Sequence, residues 1–153
     1  MKLVNVNEQK SIYGLSTRTT NANEMDPNRA QLGKLWQRFD AEVNVDYQGG
    51  ERVYGVYYQY QSDANGEFNV LAGREKLDDE LQEVIIPAGR YLVFSKQAIT
   101  NSESARVEAV IACWGEIWHY FEDQNSEFKR AYKVDYEHYE NAQDITIYIS
   151  ILS

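Results

Sequence analysis

The sequence is short of several things, and each shortage closes a class of function. It has one cysteine among 153 residues, Cys113, so no internal disulfide can form. Placed between Ala112 and Trp114 in an apolar helical stretch, Cys113 reads as a small buried residue rather than a reactive thiol. No apolar run reaches the roughly 18 residues that cross a bilayer, and the N-terminal MKLVNVNEQK has no apolar signal core. A cytoplasmic protein with no membrane segment is expected. Basic residues are few: 15 Lys and Arg face 24 Asp and Glu, for a net charge of −9. No basic cluster longer than Lys129-Arg130 offers phosphates a counter-charge, so direct nucleic-acid binding is not expected. Histidine is limited to His119 and His138. His119 with Glu122 one turn later supplies two metal donors and no evident third, so a solvated helix face is the reading and no metal is expected. There is no G-x-S-x-G elbow, no G-x-G-x-x-G and no P-loop, so no cofactor and no catalytic residue is assigned.

What is present is globular. Hydrophobic residues make up 43 % of the chain and charged residues 25 %, which suits one ordinary folded domain. Twelve tyrosines and three tryptophans stand out, because cores are built more readily from Leu, Ile and Val. The excess of acid favours solubility and also sets up a field that attracts cations.

The organising stretch is Val107 to Phe121. Its apolar residues at 107, 110, 111, 114, 117, 118 and 121 follow the rhythm of one helix face. The segment Gly115-Glu116-Ile117-Trp118-His119-Tyr120-Phe121 repeats the pattern of Gly33-Lys34-Leu35-Trp36-Gln37-Arg38-Phe39, with Gly, Trp and Phe identical. Trp118 follows Trp36 by 82 positions, about half the chain. Two copies of one unit are therefore expected, the first over about residues 1–76 and the second over about 82–153, each built round a Trp-bearing helix.

Read in order, Ser11 to Thr20 is a strand that frays into Asn21-Ala22-Asn23-Glu24. Asp26-Pro27 signals a helix start, running to about Phe39 or Asp40. After the break at Gly49-Gly50, Val53 to Tyr60 is a strand, Asp63 to Gly66 a turn, and Phe68 to Gly73 the returning strand. The charged stretch Lys76 to Glu83 marks the seam. Val84-Ile85-Ile86 and Tyr91 to Phe94 are extended, with a break at Pro87 to Gly89. Thr100 to Glu103 has capping-box spacing before the long helix. Phe128 to Glu140 reads as strand, Asn141 to Asp144 as a turn, and Ile145 to Leu152 as the last strand. In that strand Ile145, Ile147, Ile149 and Ile151 alternate with Thr146, Tyr148 and Ser150, so one face is buried. The expected fold class is α+β: two βαββ units with pseudo-twofold symmetry, an antiparallel-rich sheet with two helices packed on it, and a central cleft.

The second half also carries Trp114, Ile117, Phe121, Ser126 and then Asp135-Tyr136-Glu137-His138-Tyr139. In that order and spacing these residues resemble the GyrI-like family, the effector-binding domain of AraC- and MerR-type transcription activators. The likeness to its single-domain branch, which includes integron cassette proteins that bind cationic drugs, covers essentially the whole chain. The resemblance implies a cleft between the two halves, lined by aromatics, with an acidic residue at its base, that binds lipophilic cations. Glu137 matches the family's glutamate. On its strand it shares a face with Asp135 and Tyr139, while Tyr136 and His138 point the other way. Trp36, Trp114 and Trp118 are the expected helix-borne walls, and Tyr58, Tyr91 and Tyr139 further lining. By strand alternation Tyr54, Tyr58 and Tyr60 fall on one face and Tyr57 on the other. The first strand begins within the first dozen residues, which leaves no room for a DNA-reading helix-turn-helix ahead of it. A regulatory role would need a separate protein partner. The alternative that the resemblance implies is a hydrolase acting on a hydrophobic electrophile.

Overall fold

The computed structural model describes residues 1–152; Ser153, the end of the expected second repeat, lies outside the described residues. Eight strands and three helices follow one another: β1 (Lys2–Val6), β2 (Lys10–Thr19), α1 (Asn21–Glu24), α2 (Leu32–Glu42), β3 (Val53–Tyr58), β4 (Phe68–Arg74), β5 (Gln82–Ile86), β6 (Gly89–Gln97), α3 (Glu103–Glu122), β7 (Asp135–Tyr139) and β8 (Asp144–Ser150). The fold is mixed α+β, a single curled half-barrel sheet in the order β1-β6-β8-β7-β3-β4-β2-β5, with every neighbouring pair antiparallel.

That order is its own mirror image. Exchanging β1 with β5, β2 with β6, β3 with β7 and β4 with β8 returns the same sheet read from the other edge. Each half therefore carries one strand more than the βαββ expected. The extra strands trade places, since β1 pairs with β6 of the second half and β5 with β2 of the first. β1 escapes a pattern reading because it is short, its polar residues Lys2 and Asn5 break the alternation, and its one cross-strand neighbour is some 85 residues away in sequence.

The two faces of the sheet bury different sets. Val53, Tyr57, Phe68, Val70, Ala72, Leu92, Phe94 and the β8 isoleucines Ile145, Ile147 and Ile149 face the helices. Their alternates Tyr54, Val56, Tyr58, Leu71, Tyr91, Val93 and Tyr136 form a second cluster inside the curl of the half-barrel. Each fully buried isoleucine contributes about 1.5 to 3 kcal/mol of transfer free energy, and period-two alternation assigns each one its face. On β8 the polar alternates Thr146 and Ser150 are buried too, because the curl covers both sides. α2 packs chiefly over β2 and β4, and α3 over β6 and β8. The central pair β3 and β7 is left between the helices as the floor of a cleft.

Three local expectations are corrected by the geometry. Asp26-Pro27 does not open the long first helix: Asp26 accepts from the Asn28, Arg29 and Ala30 amides and closes an isolated turn. α2 begins at Leu32, whose amide and that of Gln31 donate to the carboxylate of Glu24 at 3.1 and 2.9 Å. Glu24 thus serves as a remote cap on the helix N-terminus, where an anion is favoured. The cap of α3 is Ser102, whose hydroxyl accepts from the Ala105 amide, rather than Thr100. Finally, Phe128 to Val134 is not part of β7; one bridge joins Arg130 to Ile151, and Tyr132 at φ 51° turns the chain into the strand at Asp135.

Glu24 also accepts from the Thr19 hydroxyl at 2.6 Å, so its carboxylate ties β2, α1 and α2 together. Glu24→Ala should lower stability by about 1 to 3 kcal/mol, the cost of leaving partly buried donors unpaired. Urea unfolding followed by far-UV circular dichroism measures it, and a midpoint unchanged from the parent protein would show that water replaces the carboxylate.

Candidate functional site

The cleft floor is set by the β3–β7 register. Gly55 lies opposite Glu137 across the two central strands, and these two positions are also 82 residues apart, the offset of Trp36 and Trp118. The topological twofold axis therefore passes between them. Tyr57 and Tyr139 are related by the same offset, and both donate to Glu137. The Tyr57 hydroxyl reaches Oε2 at 2.8 Å and the Tyr139 hydroxyl reaches Oε1 at 2.9 Å. A third donor, the Trp114 indole N–H, reaches Oε2 at 2.7 Å.

Gly55 is what makes room for this carboxylate. A Cβ there would sit 2.6 Å from Glu137 Oε1, closer than side chains approach, and in a tight contact of 3.3 Å with Trp36 Cζ2. Glu137 is 2 % exposed, and its carboxylate forms no ion pair among the described residues. Burial pushes its carboxyl above the ordinary value of 4.5, and the hydrogen bonds from Trp114, Tyr57 and Tyr139 offset that only in part. The same burial, with the carboxylate beside them, raises the Tyr57 and Tyr139 phenols well above their ordinary range, so both stay protonated donors.

A neighbouring acid shows the contrast. Asp135, two residues along the same face, is fully buried but paired: it accepts from Arg130 Nη2 at 2.8 Å, from the Tyr60 hydroxyl at 2.6 Å, and from the amide and hydroxyl of Ser150. The Arg130 guanidinium lies 4.4 Å over the Tyr132 ring. Asp135 thus has its cation built in. Glu137 has three neutral donors and no counter-charge.

Beside the carboxylate is a cavity of about 330 Å³, walled by Tyr57, Tyr60, Phe68, Trp114, Trp118 and Arg130, with Leu32, Val110 and the Asn21–Met25 turn closing it above. Its lining is mostly apolar. Met25 and Ile111, 77 % and 63 % exposed, stand at its mouth. The wall rings are in mutual contact, Trp114 lying 5.1 Å from Tyr57 and 6.2 Å from Trp118 between centroids. Such faces offer a cation stacking and quadrupole attraction.

Of the residues singled out in the sequence, Glu137, Trp114, Trp118, Trp36 and Tyr139 converge on this cleft. Trp36 lies over Gly55, 5.5 Å and edge-on from Tyr139. Tyr58 and Tyr91 are placed elsewhere: both belong to the cluster inside the half-barrel curl, on the opposite face of the sheet. Tyr58 accepts from Gln82 and Tyr91 donates to the Pro87 carbonyl. The cleft instead takes Tyr57 and Tyr60. Alternation assigns Tyr60 to the Tyr58 side, but Gln59 at φ 52° ends β3 and turns Tyr60 back to the helix face. Tyr57 was findable from the 82-residue offset that relates it to Tyr139. Among the described residues no three His, Cys, Asp or Glu side chains gather to hold a metal, and no helix is long and apolar enough to cross a membrane.

Known structures share this architecture. The chain is similar to the integron cassette protein VCH_CASS2 of Vibrio cholerae, with 31 % identity and a TM-score of 0.85 over 99 % of this chain and 95 % of that one. The fold also matches SAV2435, solved bound to tetraphenylphosphonium, at 14 % identity and a TM-score of 0.65 over 99 % and 93 % of the two chains. A structure from Staphylococcus aureus MU50 described as a putative bacterial transcription regulation protein matches at 13 % identity and a TM-score of 0.69 over 99 % and 97 %. No curated protein matches significantly. The model of the Cass2 family, integron-associated effector binding protein, matches residues 3–151, and the chain belongs to that family.

Proposed function

We propose that this protein binds lipophilic cations in the aromatic cleft between α2 and α3, with Glu137 as the counter-charge. One observation carries the reading: a carboxylate buried beneath tryptophan and tyrosine rings, satisfied by three neutral donors and lacking any cation of its own. A buried charge of this kind is costly in the empty protein. A cation with a flat apolar body offsets that cost, whereas a neutral analogue of the same shape does not. Membership of an effector-binding family supports a small-molecule ligand, and SAV2435, which shares the fold, was solved with a phosphonium cation. Sensing or sequestration of such a ligand is the role that follows.

Hydrolysis of a hydrophobic electrophile is a second reading, favoured by the Tyr57 and Tyr139 hydroxyls, protonated donors held on the two oxygens of Glu137. Mass analysis of recovered ligands separates the two, since binding alone returns them unchanged.

Glu137→Gln removes the charge and keeps the shape. The amide oxygen can still accept from Tyr57 and Trp114, and the Tyr139 hydroxyl can turn to accept from the amide nitrogen. Affinity for tetraphenylphosphonium should fall by about 2 to 5 kcal/mol, as when one member of a desolvated charge pair is removed. Affinity for neutral tetraphenylmethane-type compounds should hold or improve. Titration calorimetry on both proteins measures this, and a loss under about 1 kcal/mol would show that Glu137 is not the ligand's counter-charge.

The raised carboxyl pKa gives the binding a pH dependence of known sign. The folded protein holds the Glu137 proton more tightly than the unfolded chain, so this group favours the fold at low pH and that contribution is lost as pH rises through the raised value. Cation binding runs the opposite way. A permanently charged phosphonium should bind more tightly as pH climbs from 4.5 through the raised carboxyl pKa, by up to about tenfold per unit, and release a proton as it binds. Glu137→Gln should flatten that profile, and a wild-type profile equally flat would remove Glu137 from the ligand's surroundings.

A further inference from the structure

Glu137 poses an access problem. It does not belong to the lining of the open pocket. Its Oε2 is occupied by two donors, Tyr57 and Trp114. Oε1 accepts one bond, from Tyr139, and a carboxylate oxygen has room for two. The free acceptor position belongs to the oxygen that abuts Gly55, and the volume above Gly55 is covered by the Trp36 indole. For a cation to meet the carboxylate directly, one covering ring has to leave.

The rings are not equally held. Trp114 is buried on α3 and bonded to the carboxylate, and Tyr57 and Tyr139 are each bonded to it. Trp36 is half-buried and rests by its edges on Phe39 at 6.0 Å and Tyr139 at 5.5 Å. Beneath it is a glycine, so its departure uncovers Gly55 backbone and Glu137 Oε1 as well as the ring surfaces it touches. The open pocket, at about 330 Å³, is at the small end of drug-sized sites, which run from about 300 to 1,000 Å³.

We propose that Trp36 is the specificity-determining gate over Glu137: swinging off Gly55, it exposes Oε1 and joins a second lobe to the open pocket, so that bulky cations bind only with Trp36 displaced while small ones bind with it in place. This rests on the cation-binding reading above. The gate makes the apparent affinity for bulky cations pay for opening, by the fraction of molecules already open.

The test pairs two cations, tetraphenylphosphonium and the much smaller trimethylphenylammonium. In protein labelled with 5-fluorotryptophan, the Trp36 fluorine resonance is assigned by its loss in Trp36→Phe. Its solvent isotope shift should increase in the tetraphenylphosphonium complex and stay at the free value with trimethylphenylammonium. If the open state is about 10 % populated, Trp36→Ala should shift the ratio of the two affinities about tenfold in favour of tetraphenylphosphonium. Should Trp36→Ala not fold, Trp36→Leu is titrated instead, and the wild-type fluorine readout decides independently. Equal weakening of both cations by the variant would make Trp36 a fixed wall and overturn the gate. So would a Trp36 resonance no more exposed in the phosphonium complex than in the free protein. Binding that still depends on Glu137 while Trp36 stays put sinks the gate alone; a wild-type protein that binds neither cation sinks both the gate and the function it refines.

Discussion

A carboxylate without a cation, held on the axis of the fold, is the constraint to which the rest of the structure answers. Placing Glu137 in the interior costs free energy that no salt bridge returns, so the surroundings supply it with neutral donors: two phenols from the central strands and one indole from α3. Those donors must come from three separate segments at once. That requires β3 beside β7, α3 above them, and a glycine opposite to admit the carboxylate. The mirror-image strand order delivers the first two conditions, because it puts β3 and β7 at the centre with one helix to each side. Neither helix packs chiefly on this central pair, and the strip between them, reached from above by Trp36 and Trp114, is the cleft floor.

The halves hold each other in this arrangement by exchange as well as by contact. β1 is a strand of the second half's sheet and β5 of the first's, so neither half can hinge away without breaking these two ladders as well as β3–β7. The cleft floor is therefore rigid, and adaptability is confined to what lies above it. That division suits a binding site, where a fixed charge needs fixed donors while the ligand's apolar body needs variable room. The exposed Met25 and Ile111 at the mouth and the half-buried Trp36 on the far side are the adaptable parts.

Much of this was legible in the sequence, for reasons that are local. The β8 isoleucines at alternating positions assign themselves to one face, and the Trp-bearing repeat reveals the two helices and their relation. Glu137 and Tyr139 follow from the family resemblance and Trp36 and Trp118 from the repeated helices, and all four converge where the cleft is. What was not legible depends on contacts distant in sequence or on single backbone angles. β1 and β5 trade partners across the molecule. Glu24, which looks like frayed loop, captures the amides of α2 and moves its start past Pro27. Gln59, at a positive φ, reverses the face of Tyr60, and no pattern of alternation contains that turn. Tyr58 and Tyr91 share their residue type with the cleft tyrosines, but the face of the sheet decides, and theirs is the other one. Their alternates in the sheet are the residues that meet the helices.

The site is found where the two copies differ. Strict symmetry at the axis would set either two glycines or two glutamates face to face. Two carboxylates at that separation would repel and drive one to protonate, leaving no net gain in charge; two glycines would leave no charge at all. The chain resolves this with Gly55 in one copy and Glu137 in the other. The same asymmetry recurs one layer up, where Leu32 stands at the position related to Trp114 by the 82-residue offset. Leucine has no donor to give, so only one side of the carboxylate gains an indole bond. Oε2 is saturated from that side, and Oε1, facing the copy that contributes glycine, keeps its spare acceptor position. Duplication thus supplies the scaffold and the matched tyrosines, and divergence at two positions of the repeat gives the cleft its charge and its direction.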